Sequence, residues 1–147
     1  ESFSRLLPQL FEVFSRPVSI FTKIELFVES YIGHLSLHPY MPVFVLSEIH
    51  RNPSDFFARF IKPEMHAGLN NIEQQFLEAA EQQHIRPIDP RQLLMNIMSL
   101  CVFPFAAKPM LQHLLPINDA AFNDLMHQRK TAVSAFIINA ITPAHKK

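Results

Sequence analysis

Two histidines, His34 and His38, have the four-residue spacing of a helical metal pair, and Glu48 and His50 follow close behind. Pro39 undermines that spacing. The residue before a proline is pushed away from helical geometry, so His38 is expected to leave the helix that carries His34. A structural zinc site would also draw on cysteines, and the chain has one. The expectation is therefore ordinary, partly buried histidines and no metal. Cys101 lies in the most apolar run and reads as a buried, inert thiol. A single cysteine allows no internal disulfide and suits a reducing compartment. There is no Gly-x-Ser-x-Gly and no HExxH, and Gly33 and Gly68 are too few for a glycine-rich phosphate loop. Nothing points to catalysis or to a cofactor, so the chain is read as no enzyme. A small metal-dependent helical enzyme using His34, Glu48 or His50 is the weakest alternative.

The large apolar side chains say more. Phe27, Tyr31, Phe44, Phe57, Phe60, Met98 and Phe103 are spread over several predicted helices. Core packing accounts for any one of them, but together they could line a pocket in which a few polar groups orient a ligand. Asn96 and Ser99 are i, i+3 neighbours on an otherwise apolar helix, and a buried Asn needs a partner from another helix or from a ligand. His34, Tyr31 and Glu48 are further polar candidates. The expected pocket lining is Phe27, Tyr31, Phe44, Phe60, Asn96, Ser99 and Phe103.

The elements that must position these residues are all helical. Phe3, Leu6, Leu7, Leu10, Phe11 and Phe14 form one face over residues 3–14, with a kink or break expected at Pro8. Pro17 is expected to start a second helix, whose apolar residues recur at three and four from Ile20 to Leu35 until Pro39. Gly33 in it suggests the close approach of a neighbouring helix, or tolerance near the end. Residues 43–50 make a short third helix and 56–61 a fourth, separated by an Asn52-Pro53-Ser54-Asp55 turn and stopped by Pro63. Residues 68–84 form a more polar fifth, with a solvated Glu and Gln face. No stretch alternates with period two for long; His34–His38 is too brief for a strand. The fold class is all-α, with seven or eight helices joined by Pro-rich turns.

The sixth helix organises the reading. Asp89 is placed as its N-cap, Pro90 fits the first turn, and Gln92 would complete a capping box. From Leu93 to Phe105 apolar residues cover nearly the whole circumference, as in a helix buried on all sides. Pro104 and Pro109 should bend it or split off residues 109–115. In a chain of 147 residues one side can face the chain's own core, leaving the other for a partner chain or a ligand. The last helix, capped by Asn118 or Asp119 and running to Ile141, is likewise apolar over more than one stripe. Two such helices from each of two chains would close as a four-helix bundle about a twofold axis. The expected dimer face is Met95, Met98, Val102, Met126, Val133, Phe136 and Ile137. A helical protein–protein interaction module without a pocket is the alternative.

Composition agrees with a folded single domain. Hydrophobic residues make up 48% and charged residues 18%, with fourteen Phe, six Met and no Trp. Thirteen basic and thirteen acidic residues cancel, and no basic cluster suits nucleic acid; the His145-Lys146-Lys147 tail is too short to count. Residues 93–110 have about the length of a membrane span, but Asn96, Ser99, Pro104, Lys108 and Pro109 interrupt them, so they read as core and no membrane partner is expected. No signal peptide is recognisable, and Glu1 enters in mid-pattern without an initiator Met, as in a fragment.

Two segments, HPYMPVFVLSEIHRNPSDF (38–56) and RPIDPRQLLMNIMSLCVFPFAAKPML (86–111), resemble the C-terminal regulatory domain of TetR-type transcriptional regulators. The segment spacing and the long final helix match as well, so the resemblance covers essentially the whole chain. It implies a bacterial, cytoplasmic regulator whose helical domain binds a small hydrophobic effector and forms a homodimer. The dimer would use the last two long helices, here 89–103 and 118–141. It also implies an N-terminal helix-turn-helix domain that reads operator DNA at half-sites about one DNA turn apart. That head is not among these 147 residues, so operator DNA would be a partner only through it.

Overall fold

The computed structural model describes residues 2–144; Glu1 and the tail His145, Lys146 and Lys147 lie outside them. Eight helices follow in order among the described residues: α1 (Ser2–Val13), α2 (Ile20–Leu37), α3 (Met41–Arg51), α4 (Pro53–Phe60), α5 (Pro63–Glu81), α6 (Pro90–Ala106), α7 (Lys108–Leu114) and α8 (Asp119–Ile141). The fold is all-α.

Prolines start these helices more often than they stop them. Pro42, Pro53, Pro63, Pro90 and Pro109 each sit in a first turn, where the missing N–H would have had no helical partner. This moves several expected boundaries. The expected Asn52–Asp55 turn is the opening of α4, with Asn52 Oδ1 accepting the Asp55 N–H at 3.2 Å. Pro63 opens α5 five residues before the expected start. Pro17 does not begin α2; Ser19 does, its Oγ accepting the Thr22 N–H. Helix α1 runs through Pro8 without a break. At α6, Asp89 caps as expected, but Arg91 supplies both its backbone N–H and its guanidinium.

The helix at the centre is α2, not α6. It packs on α1, α5 and α6 and most extensively along α8, burying Ile24, Val28, Ile32 and Leu35 completely. Helix α6 is buried on one face only, through Leu93, Ile97, Cys101 and Phe105, while Met95, Met98 and Phe103 are exposed. Helices α6 and α8 run antiparallel: Arg86, just before α6, donates its N–H to Ile141 O, whereas Arg129 reaches back to Leu100 O. Between α6 and α7 the chain bends by 77°. No single helix among the described residues is long and apolar enough to cross a membrane.

The two glycines test this packing in opposite directions. A Cβ on Gly33 would meet only the flexible end of Lys130 on α8, at 3.9 Å, whereas one on Gly68 would sit 2.8 Å from the Phe11 ring. Gly33→Ala should stabilise the fold by about 0.5–1 kcal/mol through helix preference. Gly68→Ala should destabilise it by roughly 1–3 kcal/mol through overpacking. Urea midpoints check both signs; a stabilising Gly68→Ala would contradict the α1–α5 contact.

Candidate ligand cavity

Five helices surround a cavity of about 620 Å³, and α2 lies behind it. Helix α1 contributes Leu6, Leu7, Leu10 and Phe11, and α2 contributes Phe27, Tyr31 and Leu35. Met41, Pro42, Val45 and Ile49 come from α3, and Phe56 and Phe57 from α4. Met65, His66, Leu69 and Ile72 of α5 face Leu94, Met98, Ser99, Val102 and Phe103 of α6. Among the described residues, no Asp, Glu, Lys or Arg lines it. A space of this size, walled by Leu, Met and Phe, suits a small apolar molecule.

Phe27, Tyr31, Ser99 and Phe103 of the expected lining are brought together here. The other three are not. Phe44 points to solvent at 62% exposure, because Val45 and Ile49 carry the inward face of α3. Phe60 packs outside the cavity, 5.0 Å from Phe56 and 5.9 Å from Phe3 between ring centroids. Asn96 is exposed, so it needs no buried partner.

The expected dimer residues divide in a similar way. Met126, Val133 and Ile137 are 3–5% exposed and belong to the chain's own core, since α8 turns that stripe onto its neighbours. They are not available to a second chain in this arrangement. Met98 and Val102 line the cavity. Met95 and Phe136 face outward, at 54% and 69% exposure.

The wall from α1 and α5 was not foreseen in the sequence, and α3, expected to contribute through Phe44, does so through other residues. The signal for α1 was present, since Leu6, Leu7, Leu10 and Phe11 span more than one core stripe. Met65 and His66 were hidden by Pro63, which looks like a stop and acts as a start.

Tyr31 of this wall and two side chains behind it, Cys101 and Arg129, bear on one another. Tyr31 is 8% exposed, its ring set edge-on to Phe27 with centroids 6.0 Å apart. Burial pushes its phenol well above the usual range, and the neighbouring Cys101 adds to the shift. Cys101 is fully buried; burial pushes its thiol up to about 12, against a weaker opposing pull from Arg129. The Arg129 guanidinium donates to Leu100 O at 2.7 Å, and burial lowers its own pKa. That carbonyl would ordinarily accept the N–H of residue 104, which is proline. Arg129 also borders a second recess of about 520 Å³, with Leu111, Leu115, Phe122 and Leu125, and Ser99 and Phe103 are common to both spaces.

His38 ends α2 as its C-cap with φ −132°, outside helical geometry, yet its ring lies 4.8 Å from that of His34. Among the described residues no group of three His, Cys, Asp or Glu side chains could hold a metal ion.

The model of a family described as "Tetracyclin repressor-like, C-terminal domain" matches residues 21–136. The chain belongs to this family. No curated protein matches it. In this tetracyclin repressor-like domain the match runs from the start of α2 well into α8, and contains both segments that carried the resemblance. Helix α1, which walls one side of the cavity, precedes the matched residues.

The thiol offers a check on the packing around the cavity. A group whose proton is held to about 12 on folding, against about 8.5 for a free thiol, supports the fold fully below the ordinary range. That support is lost as pH rises from about 8.5 towards 12. At neutral pH Cys101 should resist an aromatic disulfide reagent in the folded chain and react once urea unfolds it. Rapid modification of the folded chain would contradict its burial.

Proposed function

We propose that residues 1–147 form the effector-binding and dimerisation unit of a transcriptional repressor that works in the bacterial cytoplasm, and that the cavity holds the effector. The observation that carries this reading is a 620 Å³ cavity with no Asp, Glu, Lys or Arg among the described residues of its lining, inside a tetracyclin repressor-like C-terminal domain. The cavity favours an effector-binding role over a pocketless interaction module. It argues for a small hydrophobic or amphipathic effector and for no catalytic step.

For the homodimer, the outward faces of α6 and α8 support a revised set of contacts. Leu125, Ala132, Phe136 and Ala140 recur on the exposed side of α8 near every fourth residue, and Met95, Asn96, Ser99 and Phe103 do so on α6. The antiparallel register set by Arg86 and Arg129 brings Met95 to the level of Val133 and Phe136 on α8. Four such helices from two copies would form the bundle. An operator-reading head would join before α1, and an effector that changes the spacing of two heads would change their fit to the half-sites. DNA and effector would then weaken each other's binding by the same factor.

The neutral fluorophore N-phenylnaphthylamine should bind this chain saturably. Val102→Phe, which places a ring in the cavity, should weaken it by about tenfold or more, comparable to the loss of a buried apolar contact. Absence of saturable binding, or indifference to Val102→Phe, would overturn the effector reading. Phe136→Glu should convert a dimer to monomer in analytical ultracentrifugation, because it places two like charges in a twofold interface. A dimer that survives unchanged would exclude this face.

A further inference from the structure

The lining contains three side chains able to form a strong hydrogen bond, and they are not equivalent. Ser99 and His66 are exposed and can be satisfied by water. Tyr31 is buried as a residue yet lines the cavity, and no hydrogen bond ties its hydroxyl to another described residue. A ligand that excluded water from this hydroxyl without replacing the hydrogen bond would forfeit about 1–3 kcal/mol. Its ring is fixed by the edge contact with Phe27, so the hydroxyl's position is set by the core and not by the ligand. Burial keeps the phenol protonated, which leaves it a donor.

Charge narrows the choice further. Among the described residues the lining has no carboxylate to meet a cationic group and no lysine or arginine to meet an anionic one; its one basic side chain is His66, which is exposed. Arg129 borders the second recess instead and is engaged with Leu100 O. We infer that the effector is an uncharged molecule with an apolar body and one hydrogen-bond acceptor, a carbonyl or ether oxygen, which takes a hydrogen bond from the Tyr31 hydroxyl. This inference rests on the cavity being the effector site. Tyr31 fixes orientation and selects the acceptor, and the apolar wall supplies most of the affinity.

Two matched probes test it. Benzophenone and diphenylmethane carry the same two rings and differ by a carbonyl in place of a methylene. In competition with N-phenylnaphthylamine, benzophenone should bind the chain about three- to tenfold more tightly, the range expected of one neutral hydrogen bond. Tyr31→Phe removes only the hydroxyl. It should erase that preference, bringing the affinities of benzophenone and diphenylmethane to within about twofold of each other. Benzoylbenzoate, which adds a carboxylate, should bind more weakly than benzophenone. Equal affinity of the matched pair in the unmodified chain, a preference that persists in Tyr31→Phe, or tighter binding of benzoylbenzoate would each overturn the inference. If the fluorophore does not bind at all, the cavity reading fails and this inference fails with it. If it binds and is lost in Val102→Phe while the matched pair stays equal, only the role of Tyr31 falls.

Discussion

Pro104 leaves the carbonyl of Leu100 without its helical partner, and the guanidinium of Arg129 takes it at 2.7 Å. A hydrogen bond from a charged donor is stronger than a neutral one, contributing about 1.5–3 kcal/mol. This one ties the middle of α8 to α6 just before the chain turns by 77° into α7. It also fixes the antiparallel register of the two helices together with the Arg86–Ile141 bond at their other end. Much follows from that register. The Val133–Ile137 stripe of α8 is held in the core, and Phe136 is left outside.

With α6 held this way, its apolar circumference divides among three surroundings. Leu93, Ile97, Cys101 and Phe105 enter the core, Leu94, Met98 and Val102 face the cavity, and Met95 is left to solvent. A helix apolar all round does not have to be enclosed by one core. Here it separates a core from a cavity and presents a third face outward. Ser99 and Phe103 border both recesses, so a ligand that moves Phe103 would alter the outer face of the same helix.

The helical class, the caps at Asp89 and Asn118 and the strong periodicity of α2 were all legible, because each rests on local chemistry that tertiary packing did not override. Proline was less legible. The same ring that ends one helix begins the next, so Pro53 and Pro63 were placed on the wrong side of a boundary, and Met65 and His66 were lost from the cavity with them. Of the cavity's lining, Phe27, Tyr31, Ser99 and Phe103 could be named from size and polarity alone. Phe44 and Phe60 could not be excluded that way, because helix phase gives a face but not what lies opposite it. Met126, Val133 and Ile137, expected at a dimer face, are covered by the chain's own core, and an apolar stripe reads alike whether a second chain or that core covers it.

The central claim is that this domain encloses a small apolar molecule and pairs with a second copy of itself. Native mass spectrometry of the purified chain reads both at once. The expected result is a species near 34 kDa, twice the 17.0 kDa of one chain, carrying added mass from a small neutral molecule that is lost on denaturation. A bare 17.0 kDa monomer that stays bare when N-phenylnaphthylamine is added would contradict it.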